Sequence, residues 1–445
     1  MRTIHGSRGP RLFAALAIVG LVAGACGGGG SPAPTSSGGT PPPGGGYTGP
    51  EATITYAIWG DPAELKSQQA IVDAFHDANP KITVEVTVSD WDAYWDKLQT
   101  GLAGGAAPDV FAMDGPLVPD YQSRDVLLDL KPYVDRDAFD LTQLVDQGVA
   151  VFTTADGGQY GLPRDLNTII LYYNKTMFDA AGLAHPDDSW DWAKLVEVGK
   201  QLTQDQDGDG TVDQWGFYTE TTDMENYWSE LVWQNGGEII SDDRTATLLG
   251  SDEAVGGLQF LQDLIWTHKI MPPADIVLQI GDAFEQGLAA MESNGSWLVP
   301  THLAAGIDLG IAPLPAGPAG QATSVNPTGA VVSASSKNPE AAWAFVSWLV
   351  GPEAQEMLMQ SKAALPVDKS VLEGSYSSAF PGSDVFAQAL EYAHLKPSFR
   401  GYEEWTGALQ EELDTQVFDV PNKTASEAID TVLTALDEIL ANQAQ

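Results

Sequence analysis

The 445-residue chain carries 61 acidic against 21 basic residues, a formal charge of −40, with 43% hydrophobic residues and 13 tryptophans. That length and apolar content predict a large core divided into lobes. A surface this acidic excludes nucleic acid and anionic lipid as electrostatic partners. Residues 1–25 read as a secretory signal peptide, because Arg2, Arg8 and Arg11 precede an apolar run at residues 12–25 that is short for a membrane span.

Cys26, the only cysteine, follows this run directly. The stretch AGAC at residues 23–26 resembles a bacterial lipobox, with Ala23 where Leu or Val is usual. The resemblance implies that Cys26 is lipidated and ties the mature chain to the membrane; the alternative is an ordinary signal peptide. Residues 27–50, rich in Gly, Pro and Ser, cannot build a core and read as a disordered tether.

Residues 52–59 alternate as a strand does and end at Gly60-Asp61-Pro62. Residues 63–79 show a helical apolar stripe through Leu65, Ile71 and Phe75. Residues 81–88 read as a second strand, 91–103 as a second helix and 109–113 as a third strand. This alternation predicts an α/β lobe with a largely parallel sheet, whose ligands sit at the carboxyl ends of strands. Trp59, Asp61 and Asp114 occupy such ends. Further on, Asp156-Gly157-Gly158 is a turn signal, Gly161-Leu162-Pro163 a stiff crossover, and residues 168–173 a buried strand. Helical patterns cover residues 191–203, 226–236, 255–268 and 282–291, with a strand at 215–218. Residues 327–335 resemble a strand, and a helix at 341–349 follows. Thr424 and Glu427 form a capping-box pattern before a final helix with Ile429, Leu436 and Leu440 on one face.

The stretch DQDGDGTVD, residues 205–213, spaces Asp205, Asp207, Asp209 and Asp213 as in an EF-hand loop, with Thr211 at the backbone-ligand position. It predicts a structural Ca²⁺ site, although Gly216 stands where an EF-hand has its bidentate Glu; the alternative is an acidic turn without metal. No serine-hydrolase elbow, zinc-protease helix or phosphate-cradling loop occurs, and the six histidines are scattered.

Six stretches occur in order: PDVFAMD, DGGQYGLP, YYNKTMF, WQNGGEI, FEQGLAAMESNGSW and SKNPEAAWAFVSWLVGPEAQEML. Together they resemble the family 1 extracellular solute-binding proteins of bacterial ABC sugar importers, from about residue 52 to the last helix. The resemblance implies an α/β, two-lobed periplasmic-binding-protein-like fold of type II, with ligand in the cleft between hinge-connected lobes. Lobe I would comprise residues 51–163 and 326–375, and lobe II residues 164–325 and 376–445. The implied protein is a monomer without enzymatic activity. It captures a neutral di- or oligosaccharide at the outer face of the membrane and delivers it to ABC permease subunits.

A sugar cleft needs aromatic platforms beside hydrogen-bonding side chains. Trp297, in the Gly-x-Trp turn, matches a position that is commonly a sugar platform; the alternative is a core tryptophan. Trp59, Asp61, Asp114, Asp165, Asn167, Glu220 and Trp228 fall where the family presents cleft residues; the alternatives are solvated loop acids for Asp61 and Asp114 and simple packing for Trp59. Arg400 offers a planar donor fork for vicinal hydroxyls or a carboxylate, the alternative being a structural ion pair, and Arg164 is an ion-pair partner or a surface residue. The enzyme alternative is a secreted, calcium-stabilised glycoside hydrolase or polysaccharide lyase, which also combines tryptophans with acids.

Overall fold

The computed structural model describes residues 47–60, 62–221 and 227–442. The expected signal peptide, Cys26, most of the tether and Asp61 lie outside the described residues.

Strands β1 (Ala52–Trp59) and β2 (Ile82–Ser89) turn Ile54, Tyr56, Ile58, Ile82 and Val84 into the core, as their alternation predicts. Between them, helix Pro62–Ala78 buries Ile71, Val72 and Phe75. Helix Trp91–Gly104 starts at Asp90, whose carboxylate accepts from the Ala93 amide at 3.1 Å. It ends at Gly105, with φ of 67°. β3 (Val110–Asp114) then joins β1 in parallel, on the side opposite β2.

The sheet continues with strands from much later in the chain. Its order is β2-β1-β3-β7-β4-β5, where β4 is Leu162–Asn174, β5 Met291–Gly295 and β7 Thr323–Val332. β6 (Leu309–Ala312) pairs with β4, and β8 (Ala393–Leu395) with β7. β4 and β7 form an antiparallel ribbon shared by both halves of the molecule. Leu162 to Thr168 of β4 pair with β7, and from Ile169 the same strand pairs with β5 and β6. At its other end β7 lies on β3. The fold is therefore α/β and two-lobed, with continuous strands crossing between the lobes.

Three local expectations are corrected. The expected crossover at Gly161-Leu162-Pro163 and the strand after it form one strand, and the register shifts between Pro163 and Asp165. Proline has no N–H to donate, so a central strand that contains it must break the ladder locally. Residues 282–291 are not a helix. Asp282 caps a turn by accepting from the Glu285 amide at 2.8 Å, Gly287 at φ 70° ends it, and Met291 opens β5. Residues 215–218 are no regular strand either, since Trp215 and Tyr218 make only isolated bridges to Ala289 and Glu292.

The second lobe packs helices Trp192–Leu202, Trp228–Gln234, Asp252–Trp266, Tyr402–Leu413 and Ala425–Asn442 around its antiparallel strands. The capping box at the last helix closes reciprocally. Thr424 N donates to Glu427 Oε2 at 2.9 Å, and Glu427 N to Thr424 Oγ1 at 3.3 Å.

Candidate functional site

The residues singled out in the sequence fall into separate groups. At the ribbon, Arg164 and Asp165 are both buried and paired, with Nε to Oδ2 at 2.7 Å; Arg164 Nη1 also donates to Tyr56 Oη at 3.3 Å. Burial alone would lower the Arg164 guanidinium, but Asp165 and Tyr56 hold it well above the usual arginine value. Asp165 thus holds an internal ion pair, and its Oδ1 lies 3.4 Å from Asn167 Nδ2. Trp228 is corrected: it is 1% exposed, and its indole N–H reaches only Gln410 Oε1, at 3.4 Å. The helical period that starts at Trp228 turns its ring into the core.

Asn167 and the Gly-x-Trp turn do come together. Ser296 Oγ donates to Asn167 Oδ1 at 2.5 Å and lies 3.1 Å from the Ala363 carbonyl, tying the turn to the ribbon. Asn326 stands opposite Asn167 on β7, and its buried Oδ1 has no hydrogen-bond partner. A band of uncharged polar groups therefore crosses the ribbon where the lobes meet. Trp297 is half-buried, and its ring covers Gly295, where an added Cβ would fall 2.0 Å from the ring. Only glycine allows that close approach.

On the first lobe, Trp59 ends β1 in an aromatic cluster with Trp91, Tyr94 and Trp95, at centroid distances of 4.9, 5.3 and 5.7 Å. Asp114 ends β3, and its carboxylate lies 3.9 Å from the buried ammonium of Lys396. Lys396 belongs to a further crossing segment. Ser398 Oγ lies 3.3 Å from the Pro116 carbonyl, and Gly401 N donates to Asp120 Oδ1 at 3.0 Å. Arg400, between them, is exposed. A solvent-open groove of about 240 Å³ lies beside this segment, lined by Ile239, Asp242, Arg244 and by Trp233 stacked on His394.

Glu220 is exposed and lies near Glu292 of β5. Glu292 is wholly buried. Burial, then the neighbouring Asp282, raises its carboxyl well above the ordinary range, and Glu220 adds to the shift. His302 Nε2 lies 2.9 Å from Glu292 Oε2, but not in the alignment of a hydrogen bond. Burial lowers this imidazole to about 4. Burial thus favours the proton on the carboxyl and its loss from the ring, and works against an ion pair here.

Asp205, Asp207 and Asp209 are exposed, with one carboxylate oxygen from each within 4.8 Å of the others. Asp213 instead turns Oδ2 to the Gln206 amide, at 2.7 Å, and Thr211 N donates to Asp209 Oδ1. At Gly216 an added Cβ would lie 2.1 Å from the Gly199 carbonyl oxygen, so no residue with a side chain fits at the twelfth position.

Reasoning from sequence missed Trp91, Lys396 and Glu292. Trp91 could have been found, because the strand-end argument used for β1 and β3 applies equally to β2. Lys396 and Glu292 gave no local signal, since their partners are distant in the chain.

Residues 59–356 match the profile of the family described as bacterial extracellular solute-binding protein. The chain belongs to this family. The solute-binding chain is 26% identical to the maltotriose-binding protein of Pyrococcus abyssi over 383 residues, 84% of this chain and 79% of that protein. It is 28% identical to an ABC substrate-binding protein from Listeria monocytogenes, solved in complex with cycloalternan. That likeness has a TM-score of 0.79 and covers 87% of this chain and 99% of the other. The acarbose-binding GacH receptor of Streptomyces glaucescens shares the fold, with a TM-score of 0.75, 23% identity and coverage of 88% and 100%. Among the described residues, no helix of the solute-binding chain is long and apolar enough to cross a membrane.

Proposed function

We propose that this protein is the substrate-binding subunit of an ABC importer and captures a neutral di- or oligosaccharide between its lobes. The observation that carries this reading is the likeness, over 84% of the chain, to a relative named for a trisaccharide. The uncharged polar band of Asn167, Ser296 and Asn326 suits sugar hydroxyls, and Trp297 at its edge suits a C–H face. Ligand held by both lobes favours the closed state by its differential affinity, and the closed form docks on the permease. The protein acts without catalysis, as a monomer on the outer face of the membrane, held by a lipid on Cys26. The loop around Asp205, Asp207 and Asp209 takes a Ca²⁺ ion that stiffens the second lobe, with Thr211 and Asp213 completing the set after a local turn.

Calorimetric titration with maltotriose, cellobiose, xylo-oligosaccharides and monosaccharides tests the main reading. One-to-one binding of the intact sugar is expected; consumption of the sugar, or no binding across the set, overturns it. Calcium is expected to raise the melting temperature of the wild type but not of Asp205→Asn. Equal response of the two proteins would remove the metal from the proposal.

A further inference from the structure

Among the described residues Trp91 is the one exposed tryptophan, at 43%. It opens helix Trp91–Gly104, directly after the Asp90 cap and two residues beyond the end of β2. Its ring meets Trp59 edge-on at 4.9 Å and Trp95 at 5.4 Å. Trp95 is buried, so the ring is fixed from behind while much of it faces solvent. Holding a large apolar surface rigid and wet has no packing benefit, and it costs little entropy when a flat ligand arrives.

Trp59 lies opposite Ser89 in the parallel register, and β3 flanks β1 on the other side. Trp91 and Asp114 therefore stand on the same carboxyl edge of the sheet, about 10 Å apart by strand spacing. That is the edge where an open α/β sheet presents ligand-binding side chains. We infer that Trp91 is a saccharide platform of the first lobe, taking the C–H face of a pyranose ring beyond the one nearest Asp114. This rests on the sugar-binding reading above and extends it. A ligand long enough to reach from Asp114 to Trp91 is favoured over a monosaccharide, and Trp91 sets that preference.

The test compares the wild type with Trp91→Leu and Trp91→Phe for maltotriose and glucose binding. The leucine side chain would still cover Trp59 and Trp95 with apolar surface but has no flat face. The expected result is a roughly tenfold or greater loss of maltotriose affinity in Trp91→Leu, an unchanged melting temperature, and recovery in Trp91→Phe. Maltotriose should also shield wild-type tryptophan fluorescence from acrylamide, an effect reduced in Trp91→Leu. Wild-type maltotriose affinity in Trp91→Leu would overturn the inference and leave the importer reading standing. Failure of the wild type to bind either sugar would sink both. Should Trp91→Leu melt early, Trp91→Met takes its place, with the same two outcomes for maltotriose affinity.

Discussion

Two buried carboxylate sites lie on the strands near the lobe junction, and their surroundings differ in one respect. Asp165 faces a guanidinium, and the pair is completed by Tyr56. Glu292 faces Asp282, Asn294 and a neutral histidine, with no cation against it. At the first, Asp165 and Tyr56 outweigh the desolvation of the Arg164 guanidinium and favour its charged form. At the second, burial and the neighbouring Asp282 favour the protonated carboxyl. An acid in the interior therefore indicates neither catalysis nor ligand binding until its partner is known.

The largest effect is expected from Arg164→Met. It strands Asp165 in the core and is expected to destabilise the protein by about 3–5 kcal/mol, measured by urea unfolding. Adding Asp165→Leu should recover much of that loss. A single variant as stable as the wild type would mean the pair is not what holds the ribbon.

Glu292→Gln should act in the opposite direction. The folded-state carboxyl titrates above its unfolded value, so its contribution is full at acid pH and is lost as pH rises past the ordinary glutamate range. The melting temperature of Glu292→Gln should gain on the wild type steadily from pH 5 to pH 8. A constant difference across that range would show that Glu292 is ionised in the fold.

Glu230 is a third buried acid, with a smaller shift. It is fully buried on helix Trp228–Gln234, accepts from Ser324 N at 3.1 Å, and is raised by burial to about 7. Its stability loss should begin above the ordinary glutamate range, near 4.3, and level off once pH passes about 7. Melting curves of Glu230→Gln against the wild type should diverge within that window and run parallel above it.

The alternating elements of the first lobe were legible because β1, β2 and β3 carry their own periodicity and pair with near neighbours. The capping box at Thr424 was legible for the same reason. Residues 282–291 misled because Ala283, Phe284 and Leu288 have helical spacing, whereas Asp282 and Gly287 impose a turn. At the candidate site, sequence placed Trp297 beside Gly295 and Asn167 on the crossing strand, both local features. It gave no sign that Trp228 turns inward, because the Gln410 it reaches is 182 positions away. The carboxylates of Asp205, Asp207 and Asp209 converge as their spacing predicted, since a nine-residue loop fixes its own geometry.

The shared ribbon bears on how the chain is made. β3 cannot be covered on its inner side until β7 has been synthesised, because Val110 pairs with Val332. Neither lobe is a contiguous stretch, so neither can finish folding while the ribosome is still supplying the last third. Such late, long-range closure makes folding slow. For a chain proposed to leave the cytoplasm behind a signal peptide, slowness is useful. A chain that closes late stays threadable for longer, which is what export through a membrane, if it occurs as proposed, would require.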